Sequence, residues 1–204
     1  LPAPGQAWPA SALQSLRGIV DTEVDTATSK GLTGWRPAWQ RSYDVVMAAL
    51  PDFLEVDAVE VRGEPATAPI AAEQGFGFDG DPVVEFRITD NVVVRLRGSI
   101  DRVDLSADGR TVSVVDYKSG RSDGFAEKLG KPKKDGTPRE RQKVQDLVYD
   151  AAARVLYPDA EHVDVHFLFV PNGGERPAVI TPVHDGDRAA VLHDLLLRLE
   201  AAGQ

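Results

Sequence analysis

The sequence contains no cysteine. Disulfides, cysteine-ligated zinc and iron–sulfur clusters held by cysteine are therefore excluded. Long apolar runs are also missing. None approaches the roughly 18–20 residues that a membrane-spanning helix needs, so no membrane partner is expected. Positive charge is in the minority: the 204 residues include 23 Lys and Arg against 32 Asp and Glu, for a net charge of −9. That excludes binding of nucleic acid by overall positive charge, although not by a local basic patch. Histidine occurs only as His162, His166, His184 and His193. No internal repeat is visible. The chain does not begin with Met, and its Pro-rich start, Leu1 to Pro9, reads as linker. A piece of a larger cytoplasmic protein is expected, long enough for one domain with a real core.

What is present is a series of periodic segments. Residues 10–30 read as a helix with Leu13, Leu16, Val20 and Val24 on one side and Ser11 as N-cap. A second helix, 36–49, carries Trp39, Tyr43, Val46, Met47 and Leu50 and is stopped by Pro51. Val56–Val61 reads as a strand and 63–72 as a Pro- and Ala-rich loop. Strands follow at Glu73–Phe78 and Val83–Ile88. A long hairpin spans 91–118, its first strand running from Val92 to Val103 and its second through Val112, Val114 and Val115. Ala107-Asp108-Gly109 makes the turn, since Gly109 can take a positive φ. Residues 119–138 read as a polar loop. A helix over 139–156 has the buried stripe Val144, Leu147, Val148, Ala151 and Val155. Val163–Val170 is a strand, Asn172-Gly173-Gly174 a turn and Ala178–Val183 the returning strand. A last helix, 187–202, turns Val191, Leu195 and Leu199 inward. This order implies an α/β fold, a central mixed β-sheet flanked by helices. Residues 1–62 form a helical segment packing on a core at 63–204.

The chemistry gathers at the end of the second hairpin strand. Side chains alternate along a strand, so Asp116 and Lys118 emerge on one face and Tyr117 on the other. Asp101 lies about as far before the turn as Asp116 lies after it. Two carboxylates and an ammonium therefore converge at one sheet edge, a set that suits a hard divalent cation. Taken alone, Asp116 and Lys118 read as a surface ion pair, worth little. On the following helix Gln145 and Tyr149 are four apart and share a face, with Gln142 near it; alone, these read as a solvated flank.

Together the motifs resemble the PD-(D/E)XK nuclease superfamily, and within it the RecB-type nuclease domain of bacterial helicase–nucleases. The matching residues are Gly98-Ser-Ile-Asp101-Arg-Val-Asp104, Val115-Asp116-Tyr117-Lys118-Ser-Gly120 and Gln145-Asp-Leu-Val-Tyr149, within a stretch from about 73 to 185. The resemblance implies a restriction-endonuclease-like core and a metal-dependent DNA nuclease. Asp101, Asp116 and the backbone carbonyl of Tyr117 would hold Mg²⁺ or Mn²⁺. Lys118 would act on the attacking water and the phosphate, and Gln145 and Tyr149 would line the site. Glu73 is a weaker match to an acidic residue of an earlier strand. Asp104, which shares a strand face with Arg102 opposite Asp101, reads as structural. The family's metal-ligating His on an upstream helix has no counterpart here, because all four histidines lie downstream. The implied partners are DNA, as a single strand, and a helicase motor in the same or a partner chain, in double-strand-break repair and recombination. The competing expectation is a catalytically inactive nuclease-fold module that binds DNA or braces a helicase.

Residues 118–143 hold nine basic residues against four acidic ones in a chain that is otherwise strongly acidic. Lying between the strand of Asp116 and the helix of Gln145, this segment is expected at the mouth of the site. Lys131, Lys133, Lys134, Arg139 and Arg141 are the candidate DNA-binding residues.

Overall fold

The structure, a computed structural model, describes residues 1–137, 139–170, 175–182 and 188–202. α1 (Ala10–Ser29) has Pro9, not Ser11, at its N-cap, and no side chain caps it. α2 (Arg36–Val56) runs through Pro51 instead of stopping there. Packing offsets the lost backbone hydrogen bond, because Phe53 and Val56 join Val61, Val115 and Leu168 in a buried cluster. The expected strand at Val56–Val61 is absent for the same reason. A single π turn, Asp57–Val61, continues α2 and carries both valines, five residues apart, onto the sheet.

The main sheet has five strands: β1 (Thr67–Phe76), β4 (Gly98–Ser106), β5 (Thr111–Ser119), β6 (His162–Val170) and β7 (Ala178–Ile180), in the order β1-β4-β5-β6-β7. Only β5 and β6 run parallel; the other neighbours are antiparallel. β1 claims half of the expected loop at 63–72. Its Pro69 is tolerated because β1 is an edge strand and its register shifts between Pro69 and Ala71. The expected strand from Val92 to Val103 is two strands. β3 (Val92–Leu96) pairs with β2 (Val84–Thr89) in a separate two-stranded sheet, and the chain breaks at Arg97 before β4 begins. The turn between β4 and β5 is as expected: Gly109 has φ 73°, and its N–H donates to Ser106 O at 3.0 Å. Gly98 answers a different need. A Cβ there would fall 2.9 Å from the buried ring of Phe76.

One face of the sheet buries Val103, Val112, Val114, Val165, Phe167 and Phe169 beneath α4 (Gln145–Leu156) and α5 (Arg188–Ala202). α4 begins at Gln145, later than expected, and its stripe is narrower: Leu147 and Ala151 are buried and Val148 packs on the core, while Val144 and Val155 are exposed. On α5 it is Leu192, Leu195 and Leu196 that turn inward, and Val191 and Leu199 that face out. The segment at 119–138 is not wholly polar. A short helix, α3 (Phe125–Lys128), drives Phe125 edge-on against Phe167 and Phe169, with centroids 4.9 and 5.0 Å away, and Leu129 is buried beside it. The turn expected at 172–174, His184, and the end of the strand expected at 178–183 lie outside the described residues. Among the described residues no helix is long and apolar enough to cross a membrane.

The opposite face of the sheet mixes apolar and polar groups. His166 is buried there, its Nδ1 2.8 Å from Thr181 Oγ1. Burial pulls its pKa down to about 4; Asp164 and Asp57 oppose that shift, and Arg102 and Arg188 add to it. The unfolded chain takes up this proton near pH 6.5, whereas the native chain does so near 4. The contribution to stability is therefore complete above pH 6.5 and is lost as the pH falls towards 4, at about 1.4 kcal/mol per pH unit. Urea unfolding at pH 7 and pH 4.5 tests this. Between the two pH values wild type should lose roughly 2–3 kcal/mol more than His166→Gln, and equal losses would contradict the assignment.

Candidate active site

β5 is built from Val112 to Val115, all fully buried, and then turns polar at Asp116. Its two neighbours treat that change differently. The ladder with β6 continues to Ser119↔Val170, but the ladder with β4 ends at Arg102↔Val115. The site is therefore not at a sheet edge, as the sequence suggested. It is a notch between two interior strands, at the point where β4 and β5 part. Asp101 occupies the notch: its Oδ2 accepts the N–H of Tyr117 at 2.8 Å. A side chain thus satisfies a backbone donor that no strand partner reaches.

Asp116 is only 2% exposed. Its Oδ1 accepts hydrogen bonds from Gln145 Nε2 and from the Tyr149 hydroxyl, both at 2.8 Å. Gln145 Nε2 also donates to the Tyr149 oxygen at 2.8 Å, which closes a triangle. The first turn of α4 supplies these donors because residues four apart stack on one helix face. Tyr149 is held well above its ordinary pKa, first by burial and then by its bond to Asp116, so it stays a proton donor. Oδ2 of Asp116 is buried and faces the Lys118 ammonium, with Nζ 2.5 Å away. The ammonium also lies over the Phe167 ring, 5.7 Å from its centroid.

The donor set fits a hard divalent cation. Asp101 and Asp116 offer carboxylate oxygens, and Oδ2 of Asp116, held only by the Lys118 ammonium, keeps a lone pair for an ion. Among the described residues no group of three or more His, Cys, Asp or Glu side chains is placed to hold a metal ion. Two carboxylates make an open site rather than a closed cage, and an open site has room for water and phosphate. Glu73 lies between the pairs Ala72↔Arg102 and Gln74↔Ile100, which sets it across from Asp101 on β1. It has φ 50°, unusual for a residue other than glycine, and accepts a long contact of 3.4 Å from Ser99 Oγ.

The expected structural role of Asp104 is met on the far side of the sheet. Asp104 is buried and takes Arg102 in a fork, Nε to Oδ1 and Nη2 to Oδ2, both at 2.8 Å. His166 turns to this side as well, within the field of Arg102 and Asp57. In the basic segment Lys131, Lys133, Lys134 and Arg139 are exposed. Arg141 is not: its Nη1 reaches both carboxylate oxygens of Asp146, at 2.6 and 2.9 Å, and Asp146 is fully buried. It braces the start of α4 rather than facing solvent.

The model of the PD-(D/E)XK nuclease superfamily matches residues 6–201. The chain belongs to that superfamily. It is also similar to curated bacterial proteins, each named as a subunit of an ATP-dependent helicase/deoxyribonuclease. Against that of Clostridium tetani it is 43% identical over 91 residues, 43% of this chain and 8% of the relative. Against that of Symbiobacterium thermophilum it is 52% identical over 60 residues, 27% of this chain and 5% of the relative. Against that of Geobacillus kaustophilus it is 46% identical over 54 residues, 25% of this chain and 5% of the relative. The chain thus spans less than a tenth of the length of these relatives. For a PD-(D/E)XK member the arrangement is coherent: the acid and the lysine of the motif are in contact, and α4 holds the acid from above.

The Arg141 contact can be checked without any assay of activity. Arg141→Gln removes the guanidinium facing a buried carboxylate and should destabilise the fold by about 2–4 kcal/mol. Arg139→Gln, at an exposed position, should stay within about 0.5 kcal/mol of wild type. Equal thermal unfolding of the two variants would show that Arg141 braces nothing.

Proposed function

We propose that this chain is a divalent-metal-dependent deoxyribonuclease domain that hydrolyses DNA phosphodiesters. In this reading it serves a helicase–nuclease in cytoplasmic double-strand-break repair and recombination, and takes single strands from a helicase motor in the same or a partner chain. The observation that carries the reading is the placement of Asp116: one oxygen is saturated by Gln145 and Tyr149, the other faces the Lys118 ammonium at 2.5 Å, and Asp101 holds the next backbone N–H where β4 and β5 part. Asp101, Asp116 and the Tyr117 carbonyl would hold Mg²⁺ or Mn²⁺. Such a cation supplies positive charge at the phosphoryl oxygens and makes water more acidic.

The chain's own groups do the rest. Gln145 and Tyr149 fix the plane of the Asp116 carboxylate. Lys118 brings an ammonium to the phosphate oxygens as charge develops on them, in a site where water is partly excluded. Exposed Lys131, Lys133, Lys134 and Arg139 guide the strand by its phosphates. Lys128, Lys133 and Arg139 line a cleft of about 450 Å³ in this segment. Arg141 contributes by anchoring the segment to α4. Against a catalytically inactive module stands the presence of Asp101, Asp116 and Lys118, with Lys118 beside Asp116 and Asp101 on the backbone N–H of Tyr117 between them.

The test is cleavage of an end-labelled single-stranded oligonucleotide in Mg²⁺. Wild type should cleave and EDTA should stop it. Asp116→Asn and Lys118→Ala should each lose at least about a hundredfold in turnover, with thermal unfolding close to wild type. Asp116→Asn cleaving at the wild-type rate would overturn the reading.

A further inference from the structure

Tyr117 separates the two motif residues and points the other way. Its hydroxyl accepts Arg102 Nη1 at 2.8 Å, and its ring leans on Phe53 of α2, centroids 6.1 Å apart. Arg102 is itself gripped on every side. Nε and Nη2 go to Asp104, and Nη2 also meets Asp57 Oδ1 at 2.7 Å. Asp57 opens the π turn after α2 and is completely buried. Its Oδ2 accepts Trp8 Nε1 at 2.6 Å and Arg62 Nε at 2.9 Å, while the Arg62 guanidinium lies over the Trp8 ring. A chain of contacts, buried at Asp57 and Arg102 and part-buried at its two ends, thus runs from Trp8 in the amino-terminal segment to the middle residue of Asp116-Tyr117-Lys118.

That chain ends where β5 keeps β6 on one side but has lost β4 on the other. Beyond Val115 the ladder with β4 is gone, and two contacts replace it: the Asp101 carboxylate on the Tyr117 N–H, and Arg102 on the Tyr117 hydroxyl. Side chains alternate across a strand, so fixing Tyr117 from behind fixes the directions of Asp116 and Lys118 in front. The structure assigns to Arg102 the role of a positioning residue: gripping Tyr117 from the opposite face, it sets the geometry of Asp116 and Lys118, and Asp57 and Asp104 set Arg102 in turn. The amino-terminal helices thereby help to organise the site from behind the sheet.

The consequence for turnover rests on the nuclease reading above; the grip itself does not. Tyr117→Phe is the informative variant, because it keeps the ring on Phe53 and leaves the pairs of Arg102 with Asp57 and Asp104 in place. Two readouts are needed. In Mg²⁺, kcat on a single-stranded oligonucleotide should fall by about tenfold with KM unchanged, since misplacement at the reacting centre spares substrate affinity. By NMR, amide exchange at residues 116–118 should accelerate by about tenfold, while the amides of Val112–Val115 stay as in wild type and the thermal midpoint falls by only a few degrees, as the loss of one hydrogen bond requires. If wild type cleaves nothing, the nuclease reading fails and the exchange measurement alone decides the grip. Unchanged exchange at 116–118 overturns the proposal, whatever the activity. Unchanged kcat in an active enzyme overturns its catalytic consequence. Exchange that accelerates along the whole of β5 shows general loosening, and it too overturns a positioning role.

Discussion

An ionised carboxylate costs several kcal/mol to bury unless donors and cations surround it. Asp116 is buried to 2% exposure, and the arrangement around the site follows from that constraint. α4 must start where it does so that Gln145 and Tyr149 can reach Oδ1. Arg141 must hold the start of α4 because no side chain caps that helix. Lys118 must lie on the same strand face so that its ammonium stands beside Oδ2. The compensation is lopsided. One oxygen takes two hydrogen bonds, while the other has the Lys118 ammonium alone. A divalent ion between Asp101 and Asp116 would balance it.

The sheet separates two kinds of charge. In front of it the carboxylates and Lys118 face the notch and α4. Behind it Arg62, Asp57, Arg102 and Asp104 are almost wholly enclosed. Burial holds the Asp104 carboxyl above its usual range, and Arg102 pulls the other way. The guanidinium of Arg102 is held above its own range by Asp57 and Asp104 against the effect of burial. Breaking such a cluster at one member costs far more than removing a surface pair. It joins the amino-terminal segment to the sheet by polar contacts, beside the apolar cluster of Val56, Val61, Val115 and Leu168.

The front of the site was legible in the sequence, and the back was not. Asp116 and Lys118 were placed by strand alternation, and Gln145 and Tyr149 by their helical spacing of four. Both are local rules, and the side chains meet as those rules require. Asp104 was placed on the far face by the same alternation. Asp57, which shares Arg102 with it, lies 47 positions earlier, in a segment that reads as a strand because its valines are β-branched. Nothing local shows that those valines are held by a π turn, or that Trp8 reaches Asp57. The break at Arg97 was hidden too, since the apolar residues on both sides of it continue one pattern while serving two sheets. Phe125 and Leu129 were masked by the charge around them, and only the core beneath shows why they are there.

The central claim is that Asp101 and Asp116 form the two sides of a divalent-metal site. Calorimetric titration of Mn²⁺ into wild type, Asp101→Asn and Asp116→Asn tests it most directly, because it needs neither DNA nor turnover. Wild type should bind the ion, and each variant should bind it at least about tenfold more weakly, with unchanged circular dichroism. Equal Mn²⁺ affinity in all three proteins would contradict the claim.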